Sequence, residues 1–128
     1  MIVGQVATER EAVVQFRVTG PAGANTDIIA VVDTGFTGHL TLPQRIIEAL
    51  GLPTFGSRTA LLAGGQKVVL RVFEGSVEWD TENRPIQILE AEGSPLLGMA
   101  MLRGFRLTID VMENGPVTIE KLGVQTGA

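Results

Sequence analysis

Apolar and polar residues alternate along most of this chain, which is the pattern of half-buried β-strands. Two such runs, at 2–8 and 12–19, flank a charged turn at 9–11 and predict an N-terminal β-hairpin. Further apolar or alternating runs predict more strands at 28–32, 59–73, 77–79, 86–89, 105–112 and 117–122. The pattern therefore favours an all-β fold.

One segment departs from this alternation and has the spacing of a helix. Its apolar side chains fall on one helical face, at Leu42, Ile46, Ile47 and Leu50. Thr41 followed by Gln44 matches a capping box at the start of a helix, and Gly51 is suited to its end. A second short helix is expected at 99–103. We therefore expect one or two short helices beside the sheet.

The most informative stretch is the apolar run at 28–32, which leads directly into Asp33 and then into Gly35 and Gly38. So short a run of mostly β-branched residues predicts a buried strand, and the two glycines allow a sharp turn behind it. A carboxylate at the end of a buried strand is placed as catalytic groups often are. On spacing alone, an Asx-turn residue that merely ends the strand explains Asp33 as well.

Composition narrows the chemistry that the chain can perform. The 128 residues are enough for one domain with its own core, and a net charge of −4 without a basic run disfavours nucleic acids and anionic membranes as partners. The absence of cysteine excludes disulfides and thiol catalysis, and His39 is the only histidine. No serine lies in a nucleophile-elbow setting, and no tight carboxylate cluster suggests a metal site. Carboxylates are then the expected catalytic groups, with no metal and no cofactor.

The apolar runs also bear on location. Each is only a handful of residues long, far short of a membrane span. Residues 1–5 lack the basic and then apolar pattern of a secretory signal. We therefore expect a cytoplasmic protein without membrane association.

Val-Val-Asp-Thr-Gly at 31–35 and Leu-Leu-Gly at 96–98 are two short motifs that resemble the signatures of retropepsin-like aspartic proteases, in particular the small bacterial single-domain type. Residues 31–35, Val-Val-Asp-Thr-Gly, resemble the active-site signature of two apolar residues followed by Asp-Thr-Gly. Leu96, Leu97 and Gly98 resemble the second signature, whose glycine lets the chain pass close to the catalytic loop. A hairpin with adjacent glycines lies between the two motifs, in the order expected for the family. The resemblance extends over about 2–122.

This resemblance implies a closed retropepsin-like β-barrel with one Asp-Thr-Gly lobe per chain. The domain would span 1–122, followed by a frayed tail at 123–128. In the implied site Asp33 is the catalytic acid, Thr34 braces two such loops through its hydroxyl group, and Gly35 allows a close backbone approach.

The resemblance also implies a substrate-binding region. The hairpin at 59–73 would be a flap over an extended peptide, with Ala63, Gly64 and Gly65 at its tip. Phe36, directly after the catalytic motif, would contact the same peptide. From the residues alone, an ordinary surface hairpin accounts for the two glycines equally well.

Catalysis by this route needs two carboxylates that share one proton, because like charges a few ångströms apart cannot both ionise. The chain has one Asp-Thr-Gly, and its other aspartates are not in a like setting: Asp27, Asp80 and Asp110. A symmetric pair therefore requires a homodimer with one Asp33 from each chain. The expected activity is hydrolysis of peptide bonds.

Two residues depart from the retroviral pattern. Phe36 stands where retroviral enzymes usually have a small residue, and Met99 stands where they often have an arginine tied into the ionic contacts of the dimer. The alternative function is a catalytically silent peptide-binding or dimerisation module on the same fold. A third hypothesis is that the chain is a different carboxylate-dependent hydrolase.

Overall fold

The computed structural model describes residues 1–61 and 64–123. Over these residues the chain is mostly β-sheet with two short helices, which confirms the all-β prediction. The strands are β1 (Ile2–Val6), β2 (Ala12–Thr19), β3 (Asn25–Val32), β4 (Leu40–Leu42), β5 (Thr54–Leu61), β6 (Lys67–Trp79), β7 (Glu82–Glu90), β8 (Leu96–Leu97), β9 (Phe105–Ile109) and β10 (Pro116–Lys121). The helices are α1 (Gln44–Leu50) and α2 (Met99–Leu102). Neither of these described helices is long and apolar enough to cross a membrane.

The strands form one sheet in the order β5-β6-β7-β4-β8-β3-β2-β1-β10-β9, and β6 makes a second pairing with β2. The predicted hairpins β1–β2 and β5–β6 are both present. Of the described pairings, β3–β8 and β4–β7 are parallel and join segments far apart in sequence. The closed retropepsin-like barrel stays a prediction, and of the predicted tail at 123–128 only Gly123 lies within the described residues.

The core is one cluster of apolar side chains from most of the strands and from both helices. Alternate residues of β2 are buried, as its period of two predicts. Trp79, which is 0 % exposed, makes edge-to-face contacts with Phe16 and Phe105 at ring-centroid distances of 5.8 and 5.9 Å. The core therefore ties the N-terminal hairpin to the C-terminal strands through one aromatic cluster.

The predicted capping box at Thr41 is wrong. Thr41 lies in β4, and the residue that caps the N-terminus of α1 is Pro43, which offers no side-chain hydrogen bond. The hydroxyl group of Thr41 instead accepts a hydrogen bond from the backbone N–H of Leu96 at 2.9 Å. The other end of α1 is as predicted, because Gly51 ends it with a left-handed φ of 61°.

Several predicted boundaries also change: β3 begins at Asn25 and β5 at Thr54, both earlier than expected, and β6 continues to Trp79. The strand expected at 105–112 ends at Ile109. The backbone N–H of Asp110 still donates to the Pro116 carbonyl, but that of Met112 then donates to the Asp110 carbonyl in a tight turn, which leaves Val111 exposed. The polar turn expected at 80–85 shortens to Asp80 and Thr81, since β7 already begins at Glu82.

Candidate active site

Asp33 lies directly after β3, where a parallel neighbour fixes its backbone. Val32 is paired with Leu97 in β8. The backbone N–H of Asp33 donates to the Leu97 carbonyl at 2.9 Å, continuing that ladder by one residue. The second motif thus holds the Asp33 backbone at the edge of the loop that follows.

The loop after Asp33 is a compact turn built on the carboxylate itself. Oδ1 of Asp33 accepts a hydrogen bond from the backbone N–H of Gly35 at 2.9 Å, and its carbonyl accepts one from Phe36 at 3.1 Å. The Asx-turn interpretation is therefore correct as a description of the local geometry. Oδ2 has no hydrogen-bond partner among the described residues, so the turn leaves one carboxylate oxygen available for chemistry.

Gly98 of the second motif passes directly beneath this loop. Its backbone N–H donates to the His39 carbonyl at 3.0 Å, and the next residue, Met99, donates to the Phe36 carbonyl at 2.8 Å. A Cβ atom at Gly98 would overlap the Gly38 carbonyl oxygen and lie 2.7 Å from that of Phe36. Only glycine fits this crossing.

Phe36 uses the space that two glycines leave open. A Cβ atom added at Gly38 or at Gly98 would lie 2.6 Å from the Phe36 ring. The ring is half-buried, so one side packs on the loop and the other faces solvent. The bulky residue after Asp-Thr-Gly is thus accommodated by its own loop. Its contact with substrate stays a prediction.

Sequence reasoning missed the role of Thr41. Its side chain is 5 % exposed, and its hydroxyl group holds the first residue of β8, Leu96, in place. The adjoining residue, Leu97, pairs with Leu40 on the other side. A threonine between two leucines of an apolar run was the available signal, because a buried hydroxyl group requires a partner.

A groove of about 1080 Å³ opens beside the Asp33 loop. One wall is the loop, with Thr34 and Thr37, and the facing wall is formed by α2 and the start of β9. Arg84 and Arg103 line it, and no carboxylate does so among the described residues. Arg84 is held there by its hydrogen bond from Nη1 to the Met101 carbonyl at 3.1 Å. The groove therefore combines apolar side chains with two arginines, and Asp33 itself is not among the residues that line it.

His39 lies at the same groove. Burial lowers the pKa of its imidazole below the ordinary value of 6.5, and the positive charges of Arg84 and Arg58 lower it further. The neutral imidazole is thus the form that the folded chain favours.

We expect folding stability to fall as the pH drops below about 6.5, because the unfolded chain then binds a proton that folded His39 resists. The contribution of His39 to the free energy of unfolding is fully present above that pH. NMR titration of the imidazole should give a midpoint below 6.5. His39→Gln should make the melting temperature less dependent on pH between about pH 7 and about pH 5. A midpoint at or above the ordinary value would contradict this account.

Among the described residues, no backbone hydrogen bond joins the predicted flap residues Gly64 and Gly65 to the Asp33 loop. Gly64 and Gly65 are exposed in the turn between β5 and β6, with φ of 94° and 84°, conformations that favour glycine. A Cβ atom at either would meet nothing within 4 Å. Ala63 lies outside the described residues. The hairpin is present, whereas its closure over a peptide stays a prediction.

Backbone pairing and hydrogen bonds thus join the segment of Asp33, Thr34, Gly35 and Phe36 to Leu96, Leu97 and Gly98. No such bond joins Gly64 or Gly65 to that segment in the part of the chain that the structure describes. Within residues 1–61 and 64–123 no group of three or more His, Cys, Asp or Glu side chains could hold a metal ion. No protein-family profile matches the chain, and no curated protein matches its sequence.

Proposed function

We propose that this chain is an aspartic endopeptidase of the retropepsin-like type, a closed barrel that acts as a homodimer with one Asp33 from each chain. The observation that carries the proposal is the crossing of two motifs. Asp33 and Gly98 come from segments far apart in sequence, yet backbone hydrogen bonds join their loops in a space that only glycine fits. A turn that merely ended a strand would not need such a support.

The chemistry follows from one carboxylate held in place and duplicated by symmetry. The backbone N–H, carbonyl and Oδ1 of Asp33 are all hydrogen-bonded, so the loop holds Oδ2 in a defined direction. Two such carboxylates facing each other share one proton, because both cannot be ionised at that separation. The ionised one takes a proton from water as the water attacks the peptide carbonyl. The protonated one donates to the carbonyl oxygen. As the C–N bond breaks, the carboxyl group that took the proton from water gives it to the departing amine, and the other carboxylate takes back a proton from a hydroxyl group of the tetrahedral intermediate.

The neighbours of Asp33 suit this arrangement. Thr34 is exposed and lines the groove, so its hydroxyl group is free to brace the loop of a second chain. In the β5–β6 hairpin only β5 has an open edge among the described residues, and its pairing with β6 is regular after the irregularity between Thr54 and Gly56. An extended peptide would bind as an added strand on that regular part of β5. The half-buried ring of Phe36 would then form one wall of a subsite.

The test is cleavage of a mixed peptide library at about pH 5 by the wild type and by Asp33→Asn, each at several protein concentrations. We expect cleavage by the wild type alone, with specific activity that rises with concentration, because only the dimer is complete. Activity should also fall on both the acid and the alkaline side, since the pair must hold one proton. Peptide binding without cleavage, unchanged in the variant, would instead favour the silent binding module.

A further inference from the structure

β9 forms an edge of the sheet, with β10 as its only strand partner among the described residues. The hydrogen bonds at its two ends establish which residues of β9 direct their backbone N–H and C=O groups toward β10. Leu122 donates to the Gly104 carbonyl, and Asp110 donates to the Pro116 carbonyl. In an antiparallel ladder every second residue of a strand forms its backbone hydrogen bonds with the same neighbouring strand. Arg106 and Thr108, which lie between Gly104 and Asp110 at this spacing, therefore also direct their backbone groups toward β10.

The residues in between therefore turn their backbone groups outward. Phe105, Leu107 and Ile109 direct their N–H and C=O groups to the open side of the sheet. Their side chains are apolar and only half-buried against the core. β9 also has an unbroken register with β10, without proline or a bulge. The opposite edge, β5, has an irregularity between Thr54 and Gly56, a feature that discourages pairing.

We propose that two copies of this chain join through β9, edge to edge and antiparallel about a two-fold axis. The choice of a second copy as the occupant rests on the proposed function, which needs a second Asp33. The location favours it, because Thr34 of the Asp33 loop lines the same groove as Phe105 and Leu107. A chain paired along β9 lies beside that loop and brings its own loop with it.

Charge selects the register of this pairing. In such a pair, residues with outward backbone groups must lie opposite residues of the same kind in the partner. The residue at the two-fold axis lies opposite its own copy, and the central choices for it are Arg106, Leu107 and Thr108. The first choice sets two arginines face to face, and the second sets Arg106 opposite threonine. The third sets Arg106 opposite the partner's Asp110 and Leu107 opposite the partner's Ile109, pairing opposite charges and apolar side chains. Arg106 and Asp110 are both exposed. The guanidinium group of Arg106 lies 3.8 Å from the Glu120 carboxylate on β10, and its remaining N–H donors can bind a second carboxylate.

Sedimentation velocity without substrate tests the interface directly. We expect the wild type to dimerise, and Arg106→Asp and Asp110→Arg each to raise the dimer dissociation constant about tenfold or more, because each sets like charges opposite one another twice. Mixing the two variants should restore a dimer, since aspartates at 106 and 110 of one chain then face arginines at both positions of the other. Arg17→Asp, which breaks the Arg17–Asp27 surface pair on β2 and β3, is the matched control and should leave dimerisation unchanged.

Three outcomes would overturn the interface: a monomeric wild type at about 200 μM, single variants that dimerise like the wild type, or variants that stay monomeric on mixing. Circular dichroism of each variant shows that it is folded. These results do not depend on catalysis. A protein that dimerises through β9 but cleaves no peptide would contradict the proposed function alone. A peptidase whose dimerisation is unchanged by Arg106→Asp and Asp110→Arg would contradict the interface alone.

Discussion

Replacing Asp33 by asparagine should lower peptidase activity by about 10³-fold or more, because the amide can neither take a proton from water nor share one with a second carboxylate. The fold should survive, since the amide oxygen can still accept the hydrogen bond from the N–H of Gly35. Asp27→Asn is the matched control. Asp27 lies on β3, the strand that ends just before Asp33, and it is exposed and paired with Arg17. Its replacement should leave kcat/KM unchanged.

Mixing the two proteins tests whether the site is shared. If each active site needs Asp33 from two chains, a ninefold excess of Asp33→Asn should reduce the activity of a fixed amount of wild type to about a tenth, because random exchange leaves few wild-type pairs. A site contained within one chain would be unaffected by the added variant. Activity that survives in Asp33→Asn itself would exclude the carboxylate mechanism. An excess of Asp27→Asn, which keeps Asp33, should cause no inhibition.

Gly98→Ala should destabilise the fold by about 3 kcal/mol or more. The added methyl group would overlap the Gly38 carbonyl oxygen and press on the Phe36 carbonyl and ring. Two of these neighbours are backbone atoms held by hydrogen bonds, so they cannot move aside as the end of a flexible side chain can.

Thermal unfolding measures this effect. The melting temperature of Gly98→Ala should fall by about 10 °C or more. Gly123→Ala is the control, because a Cβ atom there would meet nothing within 4 Å, and it should melt with the wild type. A Gly98→Ala protein as stable as the wild type would show that the crossing of the two motifs is not tightly packed.

The strands could be predicted from sequence because burial on one face of a sheet leaves a period of two, as in β2. The turn at Asp33 could be predicted too, since aspartate and glycine shape a turn through local backbone geometry. The parallel contact of β3 with β8 could not, because it depends on which distant segments bury each other. Only the resemblance to a known family suggested that these segments meet.

Thr41 shows why a local pattern can mislead. Its spacing to Gln44 fits a capping box, but β4 extends through Thr41 and its hydroxyl group bonds to Leu96 instead. A distant strand therefore decided the role of this side chain. The pair of arginines that line the groove also depends on the fold, because Arg84 and Arg103 come from different parts of the chain. No pattern in the sequence around either arginine indicates that the two side chains meet at one groove.

The aromatic cluster at Trp79 gives the chain an optical reporter of its own. Trp79 is the only tryptophan and the chain has no tyrosine, so ultraviolet emission comes from one indole in the centre of the core. One of its two ring contacts is Phe105, the first residue of β9. The wavelength of maximum emission of Trp79 should therefore shift both when the core unfolds and when the β9 edge is perturbed, without any added label.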